Sequence, residues 1–165
     1  MGIRGVIIKR TEKMKKILTL CIPHKNKKIL LGLKKRGFGV GRWNGFGGKI
    51  KTGETVEEAA RRELYEEARI QGSALESFGI LDFKFKGESE ELEIHVFKTR
   101  DWEGSPMESE EMMPRWFSVY SIPYKEMWPD DTHWLPLFLA EKKFKGRFLF
   151  DGMDTILKKE VTELK

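Results

Sequence analysis

The chain has 165 residues, enough for one domain with its own core, and 39% of them are hydrophobic, which excludes a disordered chain. Its net charge of +5, from 31 basic against 26 acidic residues, is a mild excess that suits a polyanionic ligand among other partners. A single cysteine, Cys21, excludes an intrachain disulfide and suits a reducing, cytoplasmic setting, and no apolar run approaches the length of a membrane span.

Residues 1–16 carry Arg4, Lys9, Arg10, Lys13, Lys15 and Lys16 against Glu12 alone, and read as a basic N-terminal extension ahead of one domain, 17–165. An import signal, which would add a mitochondrial or nuclear location, is the weaker alternative, because serine is absent there and the apolar stretch is short. Met14 is an alternative start. Residues 17–22 read as a strand that Pro23 stops, and 29–33 as a second strand. The glycines between 37 and 48 demand unusual backbone angles or close approach by another group. Residues 55–69 form the clearest helix, opened by a capping box of Thr55 and Glu58. Strands follow at 81–86 and 92–97, with a turn at Gly87, and a short one at 116–119. A second helix follows Asp130 and Asp131, which can cap it, with Pro136 near its first turns. Phe148 and Phe150 alternate in a late strand before Asp151-Gly152. Strands outnumber helices and separate them, which predicts an α/β fold with a mixed sheet and helices on its faces.

The first helix carries the chemistry. On a wheel of about 100° per residue with Val56 at zero, Ala59, Ala60 and Leu64 form the buried stripe. Glu63 falls at about 340° and Glu67 at about 20°, pointing with the apolar residues, while Glu66 flanks them at about 280°. Carboxylates about 5 Å apart repel by roughly 3 kcal/mol at an effective dielectric near 20, and burial adds a comparable desolvation cost. Protonation relieves this, and so does a cation. Three glutamates at spacing i, i+3, i+4 offer a set of oxygens suited to a hard divalent ion. An acidic surface helix paired with Arg61 and Arg62 is the bland alternative, which the wheel disfavours for Glu63 and Glu67. Just before the helix, the backbone of 46–49 (Phe46, Gly47, Gly48, Lys49) can approach phosphates closely, and the helix N-terminus favours anions. Loop, helix start and acidic site together describe a diphosphate cleft.

Gly48, five residues, Glu54, seven residues, then Arg62-Glu63-Leu64-Tyr65-Glu66-Glu67 resembles the Nudix box. Lys34-Lys-Arg-Gly-Phe-Gly39, Arg42-Trp-Asn-Gly-Phe-Gly-Gly-Lys49, His95-Val-Phe97 and Met127-Trp-Pro-Asp-Asp131 extend the resemblance to the branch of the family that acts on oxidised purine nucleoside triphosphates. It runs from about Lys16 to Leu157 and implies an α/β/α sandwich. It further implies Mg²⁺-assisted hydrolysis of 8-oxo-dGTP and 2-oxo-dATP to monophosphate plus pyrophosphate, which clears the nucleotide pool of damaged DNA precursors. Neither nucleic acid nor membrane is an implied partner, and the chain is expected to be a monomer.

By the resemblance, Glu63, Glu66 and Glu67 hold metal with the Gly47 carbonyl, Arg62 orients the glutamates and Glu54 buttresses the loop. Glu111 matches the distal acid that binds metal or takes the proton of the attacking water. Thr19, Lys34, Asn44, Phe46, Gly47, Gly48, Lys49, Trp128, Pro129, Asp130 and Asp131 match substrate-binding positions. One departure stands out: Arg69 occupies the place of the glycine that ends the box, with Gly72 as a substitute cap. Outside the box, His95 reads as a structural histidine, Trp43, Trp116 and Trp134 as core, and Lys142-Lys-Phe-Lys145 as a solvated helix end. Two other readings stand beside the main one: a Nudix hydrolase of another nucleotide, and a non-catalytic Nudix module that binds RNA or protein. The intact box glutamates oppose the second.

Overall fold

The computed structural model describes residues 14–165, so the basic extension falls outside the described residues up to position 13. Residues 14–16, expected in that extension, instead begin the first strand, β1 (Met14–Lys25). They pair with the start of β6 (Glu90–Thr99), where Lys15 meets Glu93 at 2.9 Å and Lys16 meets Glu90 at 3.0 Å. Pro23 does not stop β1. Thr19 and Cys21 donate their backbone N–H groups to Gly48 and Phe46, so odd positions face that edge and even ones face β6. Pro23 is odd, and its missing donor removes nothing from the β6 ladder.

The remaining elements are β2 (Lys28–Lys34), β3 (Trp43–Asn44), α1 (Val56–Ala68), β4 (Gln71–Gly72), β5 (Glu76–Phe85), β7 (Trp102–Glu103), β8 (Met112–Ser118), α2 (Asp131–Leu139), β9 (Phe144–Asp151) and β10 (Thr155–Glu163). The main sheet runs β10-β9-β5-β6-β1-β2-β3, with β8 paired to β2, and it is mixed: β1–β6 and β5–β9 are parallel. β4 and β7 form a separate two-stranded ribbon. The residues 142–145 are not a helix end, because β9 begins at the buried Phe144.

Side-chain alternation sorts the strands between two cores. Leu20, Ile22, Ile29, Leu31 and Val96 face the cluster that holds Trp134, Leu135 and Phe138 of α2. Cys21, Leu30 and Phe97 face the other, with Ala60, Leu64 and Ala68 of α1. Period-2 alternation on the central strands therefore sends neighbours to opposite helices, which makes the α/β/α sandwich. Trp43 and Trp134 are core, whereas Trp116 is exposed and stacks on Trp102 at 5.4 Å. His95 is structural, its ring 2.8 Å from Glu93.

The capping box forms as read: the Thr55 hydroxyl accepts from the Glu58 N–H, and the Glu58 carboxylate accepts from the Thr55 N–H. The C-terminal expectation is corrected. Arg69 itself takes the left-handed conformation, φ 62°, and donates its N–H to the Tyr65 carbonyl, while Gly72 pairs within the ribbon. Its guanidinium lies 5.7 Å from the Tyr65 ring, which returns part of the strain.

Candidate active site

The loop before α1 is pressed against β1 so tightly that side chains are excluded. A Cβ on Gly47 would lie 1.7 Å from the Thr19 carbonyl oxygen, and one on Gly48 would lie 2.7 Å from Glu63 Oε1. The loop backbone therefore sits between the sheet and the acidic face of α1. Arg62 ties the two together. Its guanidinium donates to both oxygens of Glu54 at 2.8 and 3.0 Å, to Glu63 at 2.9 Å, to Glu66 at 3.2 Å and to the Lys49 carbonyl at 3.2 Å. Glu54 in turn accepts the Lys51 N–H at 2.8 Å. The fork geometry of arginine suits this many-sided hold.

Glu67 is buried and accepts the Gly47 N–H at 2.8 Å. Burial, with the Glu63 charge adding to it, pushes its carboxyl up to about 8. Among the described residues, no three carboxylates, imidazoles or thiols converge on one point: Glu63 and Glu66 turn to Arg62, and Glu67 to Gly47. The residues nevertheless fit a hard divalent cation. The donors are all oxygens, and one carboxylate is held in a dry place where its charge lacks a counter-ion.

Glu67, Gly47 and Gly48 line one end of a cavity of about 720 Å³. Thr19, Lys34, Asn44, Lys49, Trp128, Asp130 and Asp131 line it too, so most of the expected pocket positions share one cleft. Two expected positions do not line it. Phe46 has no exposed surface and packs in the α1 core, while the alternation of β1 and its bridge to Cys21 leave only its neighbours facing the cleft. Pro129 is likewise absent from the lining. Glu111 stands apart as well, bound to Arg36 at 2.7 Å and Lys34 at 3.2 Å, and the Arg36 bond first among these contacts holds its carboxyl below the usual range.

At the far end of the cavity, Asp130 and Asp131 are almost wholly buried. Asp130 precedes α2 but makes no side-chain capping bond; its Oδ2 accepts the Trp134 indole N–H at 2.8 Å. No N–H or hydroxyl donates to Asp130 Oδ1 or Asp131 Oδ2, and the hydrogen bond open to the pair is the one between the two carboxyls. Burial raises both carboxyls above the ordinary range, Asp131 well above it with the Asp130 charge as a further cause. Two buried carboxyls side by side favour one proton retained by the pair. The apolar walls Phe38, Leu81, Phe83, Phe85, Leu92 and Met112 were not singled out from sequence. The alternation Leu81-Phe83-Phe85 in β5 was the available signal, since it puts all three on one face.

Comparison with known proteins places these features in context. The NUDIX domain pattern matches residues 14–138. The oxidized purine nucleoside triphosphate hydrolase of Danio rerio is 48% identical over 150 residues, 91% of this chain and 96% of that protein. The Mus musculus protein of the same name is 46% identical over 149 residues, 90% and 96% of the two chains. Among solved structures, the MutT protein of Bacillus halodurans superposes with a TM-score of 0.79 at 25% identity, covering 88% of this chain and 97% of its own.

Proposed function

This chain belongs to the Nudix family, and from that premise we propose that it hydrolyses oxidised purine nucleoside triphosphates to the monophosphate and pyrophosphate. It is a Nudix hydrolase that sanitises oxidised nucleotides. The observation that carries the substrate reading is one cavity lined both by Glu67 with the Gly47 and Gly48 backbone and by the buried Asp130–Asp131 pair.

Nudix hydrolases generally need a divalent metal ion, and in our reading it is Mg²⁺, which supplies neutralisation of phosphate charge and a more acidic water. Glu63, Glu66, Glu67 and the Gly47 carbonyl would hold it, with Glu111 reaching in after release from Lys34 and Arg36. Arg62 keeps Glu63 and Glu66 oriented, and Glu54 fixes Arg62. Lys34 and Lys49 line the cavity and meet the phosphate chain. Trp128 supplies a flat apolar face for the purine. A protonated Asp131 donates a hydrogen bond and an ionised Asp130 accepts one, so the pair reads the two kinds of edge atom; exchanging the proton exchanges the roles. Asn44 adds an amide with both functions. Such a pocket accepts oxidised guanine and oxidised adenine, whose edges present opposite patterns.

The test is incubation of the purified protein and Mg²⁺ with 8-oxo-dGTP, 2-oxo-dATP, dGTP and dATP. Monophosphate and pyrophosphate from the oxidised pair, well ahead of the ordinary pair, are expected. Release of orthophosphate, or equal turnover of all four, would overturn the reading.

A further inference from the structure

Arg42 follows the glycine loop and belongs to neither acidic end, yet it touches three separate walls of the cleft. Its guanidinium lies 4.6 Å from the centre of the Trp128 ring. It donates to the Met153 carbonyl at 3.1 Å and to the Asp154 carboxylate, both in the turn between β9 and β10. Its backbone N–H donates to Gly39 at 3.1 Å, and its carbonyl accepts from Lys34 at 3.0 Å. Trp128 lines the cavity and Arg42 does not, so the cation covers the ring from outside. Phe38 meets the same ring at 5.0 Å, and a Cβ on Gly39 would come within 3.2 Å of the indole nitrogen, so the ring has little room to turn. The Trp128 carbonyl accepts the Asp131 N–H at 3.1 Å, so tilting the ring's backbone moves the aspartate pair.

We propose that Arg42 is a positioning residue for base recognition: it fixes the plane of Trp128 and sets the charge felt by Asp130 and Asp131. This rests on the pocket's reading as a purine site. Glycine loop, α2 entrance and β9–β10 turn are distant in sequence, and a planar cation with several donors joins them where lysine would not. Arg42 is also a cation whose field reaches both aspartates and favours their ionised forms. Beside the pair stand the Tyr124 hydroxyl, held up by burial and the Asp131 charge, and the uncharged Trp134 indole. Lys34 and Glu67 line the same cavity. Because Arg42 opposes retention of the shared proton, it sets the upper pH at which the pair still offers one donor and one acceptor.

Arg42→Met removes charge and plane, Arg42→Lys keeps the charge alone, and Asp154→Ala releases the anchor at an exposed turn without touching the core. Arg42→Met should raise KM for 8-oxo-dGTP about tenfold with a smaller change in kcat, and carry the alkaline limb of kcat/KM to higher pH. Arg42→Lys should return the limb to its wild-type position but leave KM raised. Asp154→Ala should raise KM several-fold, and keeps the test alive if Arg42→Met fails to fold. The titration of ¹³C-labelled aspartate carboxyls in the free protein reports the same displacement without substrate. If wild type turns over no oxidised purine triphosphate, the functional reading fails while this titration still decides the role of Arg42. A limb and a titration that stay put in Arg42→Met, or an unchanged KM in both Asp154→Ala and Arg42→Lys, would overturn the proposal.

Discussion

The two acidic ends of the cleft differ in what stands next to the carboxylates. On α1, Arg62 reaches between Glu54, Glu63 and Glu66 and pairs with all three. At the start of α2, Asp130 and Asp131 make no ion pair among the described residues, and the Arg42 guanidinium lies against the Trp128 ring. Burial raises a carboxyl at each end, Glu67 on α1 and the aspartate pair at α2, but only the α1 end sets a guanidinium directly among its carboxylates.

The sharpest way to break this contrast is Glu67→Gln, which should slow hydrolysis by at least about 10²-fold in saturating Mg²⁺, the scale of a lost catalytic charge. Folding should survive. A carboxyl raised to about 8 leaves the metal-free protein most stable below the ordinary carboxylate value, and that stability is lost as pH climbs through about 8. Melting of metal-free Glu67→Gln at pH 9 should therefore match or exceed wild type. Turnover equal to wild type would remove Glu67 from the metal site.

Glu111→Gln sharpens the same end and should cost about tenfold in kcat, less than Glu67→Gln, because Glu111 must first leave Lys34 and Arg36. A loss as large as that of Glu67→Gln would mean that the ion pairs impose no cost. At the other end, Asp130→Asn fixes one member as a neutral amide. It should change the ratio of 8-oxo-dGTP to 2-oxo-dATP turnover about fivefold, the scale of one mismatched hydrogen bond. Wild-type activity on both should fall at high pH, because the raised carboxyls keep their proton below that range and lose it above. Kinetics on both substrates across pH decide this; equal losses with an unchanged profile would reduce Asp130 to a scaffold. The smallest effect belongs to Arg69→Gly, which should raise stability by at most about 1 kcal/mol by relieving a positive φ, with turnover nearly unchanged. A clear drop in melting temperature would make the Tyr65 contact worth more than the strain.

The contrast was partly legible in the sequence. The wheel of α1 already turned Glu63 and Glu67 toward the apolar stripe, because a 3.6-residue period is a local property. The adjacent aspartates were readable as pocket positions at the start of the second helix, although the side-chain capping bond also expected there does not form at Asp130. What the sequence withheld is pairing across long separations. Pro23 inside β1 is tolerated only because of which edge it faces, and β10 is an edge strand of mostly exposed residues whose pattern lacks a buried face. Phe46 matched a pocket motif, but its burial depends on the Cys21 bridge. Likewise nothing in local sequence joins Arg42 to Trp128 and Asp154, positions 86 and 112 residues away (128 − 42 and 154 − 42).

Cys21 has no exposed surface, and burial pushes its thiol up to about 12. Oxidants attack the thiolate, and at neutral pH almost none exists here. A hydrolase that sanitises oxidised nucleotides thus keeps its one sulfhydryl buried and protonated, out of reach of oxidants. Oxidative wear falls instead on exposed thioethers such as Met153, whose sulfoxide would put a polar group on the cavity wall and can be reduced again.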